Sequence, residues 1–378
     1  MSSQAYTPGL KRKEVYIVRK RRELPISGEI LVKEGEHVTP NSPVARTKVP
    51  GEPHMIDIAY TLGVIAEDAY TFMLKKIGDP VTKGERIAFK KSFFGLFTKE
   101  CLSPYTGVVE LVSEITGQVI VRESPLPVEI LAYISGGVEK IIPNLGVVIK
   151  SPAVFIQGIF GVGGETFGEL KIMSKTIEDS ASSVELTSDC TGKILVYGAL
   201  VDIATLRKAV EVGVKGIIVG GIKGNDLKDL LGYQIGVAIT GNEDIGLTLI
   251  ITEGFGKMNM SAMTFELLKK FEGKITSING TTQIRAGVMR PEIIIPYDEE
   301  SPVIKSYKEE ETDSKGLMEG TQIRLIREPY YGALGYVSGL PVELQTLESE
   351  SVVRVLDVKL DDGRVVTVPR ANVEIIEA

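Results

Sequence analysis

The stretch GVGGETFGEL, Gly161 to Leu170, carries Gly163 and Gly168 at the spacing of the phosphate-cradling pattern GxxxxGK[ST]. That chemistry needs Lys and then Ser or Thr after the second glycine, because the ammonium neutralises phosphate charge and the hydroxyl binds magnesium. Here Glu169 and Leu170 follow Gly168, and Glu165 adds a second carboxylate that would repel a phosphate. The stretch therefore reads as a glycine-rich strand connection. General acid–base work leans on histidine, and the chain has only His37 and His54, neither with a positioned acid or nucleophile near it in sequence. Both read as solvated loop residues. Cys101 and Cys190 lie far apart with no CxxC or Cys/His spacing, which gives neither a disulfide framework nor a zinc site. No catalytic residue, metal-ligand set or cofactor is assigned.

The best small-molecule candidates lie between residues 191 and 297. KILVYG, GIIVGGI, IGVAITG, LTLIITEGFG, ITSING and PEIIIPY read as strands, alternating with the helices DIATLRKAVEVG, NDLKDLLG and SAMTFELLKKFEG. Asn225 is placed as an N-cap and Gly232 as a helix stop. Such alternation implies a partly parallel sheet covered on both faces. In open α/β sheets, ligands settle outside the carboxyl ends of the strands. Three such ends stand out: Gly220-Gly221, TGNED (Thr240 to Asp244) and TEGFGKM (Thr252 to Met258). The glycines allow close backbone approach. Glu243, Asp244 and Glu253 could bind a cation or a positively charged group, and Thr240, Asn242 and Thr252 could add hydrogen bonds. The same residues could equally satisfy turns and cap helices, and both readings stay open here.

Short strands punctuated by Gly and Pro fill residues 25 to 172, and they repeat. GEHVTPNSPVA begins at Gly35 and GDPVTKGERIA at Gly78, so an acid, a Val and a terminal aliphatic-Ala pair recur 43 residues apart. PISGEILV from Pro25 is echoed by PYTGVVELV from Pro104, each a turn followed by a strand. HMIDIAYTLGVIAEDAYTFMLKK, His54 to Lys76, reads as an inserted helical stretch. The pattern resembles the barrel-sandwich hybrid fold of biotinyl and lipoyl carrier domains. That resemblance implies a modifiable lysine on a hairpin after the turn, and Lys48 lies nearby. Neither a lipoyl nor a biotinyl sequence surrounds it, and Pro50 and Gly51 alter the hairpin. An unmodified domain used for packing or docking is the expectation. The middle region resembles swivelling β/α domains but holds no histidine for phosphohistidine transfer.

DEESPVIKSYKEEETDSKG, Asp298 to Gly316, has seven acids against three lysines and reads as a solvated linker. After it, GTQIRLIREPYYGALGYVSGL (Gly320 to Leu340) resembles the KOW motif, the SH3-like barrel unit of NusG-type elongation factors and several ribosomal proteins. The features that carry it are the alternating Ile323, Leu325 and Ile326, the turn EPYYG, and Gly332 and Gly335 before Val337. The whole arrangement resembles uncharacterised bacterial KOW-domain-containing proteins. From Met318 to the end there are six basic residues against ten acids, so protein docking is favoured over RNA. Arg324, Arg327, Tyr330 and Tyr331 are the docking candidates.

The expected fold is multidomain α+β: a barrel-sandwich hybrid over residues 1–172 with a helical insertion near 54–76, an α/β domain over 173–297, a linker over 298–317 and an SH3-like barrel over 318–378. A net charge of -7 argues against a generally basic nucleic-acid binder. The exception is LKRKEVYIVRKRRE (Leu10 to Glu23), with seven Lys or Arg and two Glu, which could touch nucleic acid or an acidic partner, or form a solvated edge strand protected by charge. No stretch approaches the roughly 20 apolar residues of a membrane span, so a cytoplasmic protein is expected. The leading functional expectation is a non-catalytic adaptor with a protein partner. The alternatives are a small-molecule-binding α/β domain and an unconventional carrier.

Overall fold

The 43-residue echo is reproduced bond for bond in the computed structural model, which describes residues 10–92, 97–232, 243, 245–282, 289–298, 301–307, 317–325, 329–330, 333–341, 343–346, 352–360 and 363–375. Gly35 and Gly78 both take left-handed backbone, φ 81° and 92°. Their N–H groups donate to Val138 O and Val109 O, each at 2.8 Å. The acid after each glycine closes the turn: Lys33 N–H donates to the Glu36 carboxylate (2.9 Å) and Lys76 N–H to that of Asp79 (2.7 Å). Val38 and Val81 then turn inward, as do Ala45 and Ala88. The repeated residue types are thus the turn chemistry of two β units, each with its own core.

The first unit pairs Pro43–Val49 with Glu29–Ile30 and Leu126–Leu131. Its core holds Val18, Val44, Ile134 and Ile149. The second unit has a sheet in the order Pro53–Asp57, Gln118–Arg122, Gly107–Val112, Pro80–Val81, with the hairpin Arg86–Ser92/Phe97–Leu102 beside it. Ile56, Ile87, Val109 and Val121 fill its interior. The helical stretch expected over 54–76 is shorter than its sequence suggested. It opens as the strand Pro53–Asp57 and becomes helix only over Ile58–Leu62 and Ala66–Ala69, with a tight turn at Tyr70–Phe72. Asp57 accepts the Tyr60 N–H at 2.8 Å and so starts the first helix, which Gly63 ends in left-handed backbone.

The largest sheet has twelve strands and draws them from both sides of residue 172. Glu165–Ile172 lies between Ile194–Val196, parallel, and Ile275–Asn279, antiparallel. The parallel run continues through Gly216–Ile222 to Thr248–Phe255. Glu292–Pro296 connects it to Gly146–Gln157, along which Arg12–Glu23 pairs over nearly its full length. Alternation places Ile217, Val219, Leu249 and Ile251 under the helices Ile203–Val212 and Gly224–Leu231. Ile218 and Ile250 face the helix Ala262–Lys270, against Phe265 and Leu268. The middle region is therefore partly parallel and covered on both faces. Asn225 does not cap its helix: the element begins at Gly224 with Lys223 before it and no side-chain cap, while Gly232 ends it at φ 78°.

The C-terminal residues form a six-stranded sheet, in the order Leu344–Thr346, Val352–Leu360, Leu334–Gly339, Gln322–Leu325, Val373–Ile375, with Val365–Pro369 also on Val352–Leu360. Ile323, Leu325, Val337, Leu356 and Val358 fill its core. The chain is mostly β, and among the described residues no sheet closes into a barrel. No described helix is long and apolar enough to cross a membrane.

Tyr197 is fully buried beside the parallel strands, and its hydroxyl has no hydrogen-bond partner. An unpaired buried hydroxyl is destabilising, so Tyr197→Phe should raise the unfolding free energy by about 1 kcal/mol. Burial also pushes this phenol's pKa up. A raised folded-state value gives stability that is complete below the unfolded tyrosine pKa of about 10 and is lost as pH rises past it. The Tyr197→Phe variant should therefore show a flatter alkaline limb in denaturant titrations. A loss of stability at neutral pH would instead place a partner at the hydroxyl.

Candidate functional site

The ends of the parallel strands bring several candidates together, but the chain itself occupies them. A Cβ on Gly220 would lie 2.2 Å from Met258 O and 2.6 Å from Gly198 O, and one on Gly221 would lie 2.3 Å from Gly256 O. The close backbone approach these glycines permit is that of the segment following Glu253, not of a ligand. Thr252, buried, donates its hydroxyl to Val219 O at 3.4 Å. Glu253 is only 8% exposed. Its Oε1 accepts the Ser261 N–H at 2.9 Å, where the helix Ala262–Lys270 begins, and its Oε2 accepts Arg324 at 2.6 Å.

Arg324 belongs to the C-terminal sheet, so a candidate ligand residue and a candidate docking residue are each other's partner. Arg12, from the first long strand, completes the junction. Its guanidinium donates to Ser261 Oγ and contacts Met263 Sδ, both at 3.4 Å. Desolvation holds Arg12 below the ordinary arginine range; Glu253 opposes this shift and Arg324 adds to it. Glu253 is thus bonded by Arg324 and lies within charge range of Arg12, where the first strand, the middle region and the C-terminal sheet meet.

No protein-family model matches the chain, and no curated protein matches it. The geometry alone must carry a functional reading.

Glu243 is half-buried. Thr240, Asn242, Asp244, Arg327 and Tyr331 lie outside the described residues. Tyr330 is partly buried against the C-terminal core. Lys48 is exposed near the end of Pro43–Val49, opposite Pro127 in a paired ladder, rather than at a hairpin tip. His54 is not a solvated loop residue. It lies on a strand with its ring stacked on Tyr105 (centroids 3.6 Å, planes 4° apart) and Nε2 3.0 Å from the Glu123 carboxylate. Both cysteines are buried, and burial pushes the Cys101 thiol up.

The basic N-terminal strand is largely consumed within the fold. Arg19 pairs with Glu139 at 3.0 Å, and Arg22 forks onto Glu165 with both bonds at 2.7 Å. Lys20 reaches Glu292 at 2.5 and 2.6 Å. In the ladder Lys20 stands opposite Ile149 and Glu292 opposite Gln157, eight residues along the same strand. That separation is about 26 Å of extended chain, so the sheet must curl back for the two to touch.

Tyr133 sits inside the curl at φ 70°, an uncommon conformation for so bulky a residue. Its hydroxyl donates to Glu292 at 3.3 Å, its carbonyl accepts the Ser277 hydroxyl at 2.6 Å, and Arg22 lies over its ring at 5.5 Å. Burial and the two carboxylates push the phenol far up, so it is a proton donor and not a base. No local signal marks this cluster, because its members come from five separated segments. Each charge in it has a partner, and what it does is brace the curl.

Proposed function

We propose that the protein is a non-catalytic adaptor that docks onto a larger assembly. The observation behind this reading is the occupancy of the strand ends at Gly220-Gly221 and at Glu253. Glu253 is held by Ser261 and Arg324, and Gly220 and Gly221 are covered by the backbone of the following segment. A carboxylate already satisfied by a backbone N–H and a guanidinium has little left to offer a metal or a cationic substrate.

In this reading the N-terminal stretch is a barrel-sandwich hybrid with an unmodified Lys48, the middle is an α/β domain, and the C-terminal sheet is an SH3-like KOW unit. The likeness of Gly320 to Leu340 to the KOW motif points to transcription or translation machinery as the class of assembly. The acidic balance of the C-terminal residues favours a protein contact there over RNA. The first strand supports the same choice, since Arg12, Arg19, Lys20 and Arg22 are engaged inside the molecule.

Affinity purification of the tagged full chain from its source cells tests the proposal. Polymerase or ribosomal subunits should be recovered in near-stoichiometric amounts. Recovery of the chain alone would contradict it.

A further inference from the structure

The second β unit has an outward face that the other described residues leave uncovered. Met55 pairs across the ladder with Ile120, and Ile120 with Leu111, so the three form one apolar row on the outer side of the sheet. Met55 is 71% exposed and Leu111 47%. At the end of the row, Ile58 and Ala59 both donate their N–H groups to Gly117 O at 3.1 Å, which seats the helix Ile58–Leu62 on the turn that carries Ile115. Gly117 lies against Ala59 and Ala66, so the next helix borders the same turn. Tyr60 (86%), Ile65 (64%) and Ile115 (88%) are exposed on the helices and turn at that edge. An exposed apolar row with further exposed apolar residues at its edge is a signature of an interaction site.

The rim tells what kind of partner fits. Glu52, Glu67, Asp68 and Glu114 are exposed around this face, and no described cation of the chain pairs with them. Among the described residues of the sheet face, Arg122 is the base, and it is neutralised by Glu110 at 2.9 Å; the ammonium of Lys99 lies against Gly63 at the helix edge, so the rim's four acids outnumber it. An anionic lipid surface or a nucleic acid would be repelled by such a rim. A second copy presenting the same face would oppose acids to acids.

We infer that this face, from Met55 through Ile120 and Leu111 to Ile115, is the docking surface for a cationic amphipathic segment of a partner protein. This rests on the adaptor reading and names the surface that would do the docking. Apolar side chains of the segment would cover the row while its lysines or arginines meet the acidic rim, a helix-on-groove mode of recognition.

The test uses the full chain and a fluorescent helical peptide of leucine and lysine with one apolar face. Anisotropy should show saturable binding that weakens as salt rises. Met55→Ser with Leu111→Ser should reduce affinity about ten-fold, as expected for exposed anchors of an interface centre. Glu67→Lys with Glu114→Lys should weaken binding without altering the fold, since both side chains are solvent-facing. A same-composition peptide lacking an apolar face should not bind.

Equal binding by the variants, or none by the wild type, overturns the inference. So does a wild-type dimer in sedimentation that Met55→Ser/Leu111→Ser dissociates, because the occupant would then be a second copy. If the double serine variant recovers the same assembly from cells as the wild type, the adaptor reading stands and this face is not its docking surface. If the peptide binds as described but no assembly is ever recovered, the surface stands and the adaptor reading falls.

Discussion

Arg324→Met should destabilise the protein by about 3 kcal/mol in urea titrations, because it leaves the Glu253 carboxylate buried with half its partners gone. Glu253 is 8% exposed and bonds Arg324 at 2.6 Å, so water cannot readily replace the guanidinium. Glu253→Gln should cost a comparable amount for the reciprocal reason: Arg324 and Arg12 would face each other without a counter-charge. The double replacement Glu253→Leu/Arg324→Met removes both charges together. It should recover much of the loss, as apolar substitutes for a buried pair commonly do. A ligand-binding role for Glu253 makes the opposite forecast, since its removal would leave the ligand-free protein as stable as before. Wild-type stability in Arg324→Met would mean that the C-terminal sheet is not held at the strand ends.

The second large effect is expected in the curl of the main sheet. Glu292→Gln should also cost about 3 kcal/mol, since it leaves the Lys20 ammonium without the carboxylate that accepts it twice. Tyr133→Phe should cost less, about 1 kcal/mol, because a single hydrogen bond of 3.3 Å is lost and the ring stays in place. If the cluster braces the curl, Glu292→Gln should additionally raise amide exchange along Arg12–Glu23, the strand that the pair fastens. Unchanged exchange there would confine the role of Glu292 to its own strand.

What was legible in the sequence follows from the range of the physics involved. The 43-residue echo could be read because each turn is closed within four residues, by Glu36 onto Lys33 and by Asp79 onto Lys76. The alternating strands and helices of the middle region could be read because the two faces of Gly216–Ile222 and Thr248–Phe255 are both buried. The stretch from His54 misled because HMID alternates in and out before any helical period is established, and Asp57 rather than His54 starts the helix. Asn225 misled because a residue suited to capping lies just inside the first turn.

The candidate site was half legible. Glu253 stands out by its position at a strand end, and Arg324 by its place in a stretch that resembles the KOW motif. That they bond each other could not be read, because they are separated by 71 residues, and Arg12 by 249 from Ser261. The basic run at the N-terminus looked like a charged surface for the same reason. Its acidic partners Glu139, Glu165 and Glu292 become neighbours only when the sheet forms.

Native mass spectrometry of the full chain purified from its source tests the central claim most directly. The described strand ends, at Gly220-Gly221 and at Glu253, are filled by the chain's own residues, so the protein should appear with a protein partner bound and no small molecule or metal retained. A peak carrying a metabolite or metal ion that Glu253→Gln abolishes would show that the carboxylate serves a ligand after all.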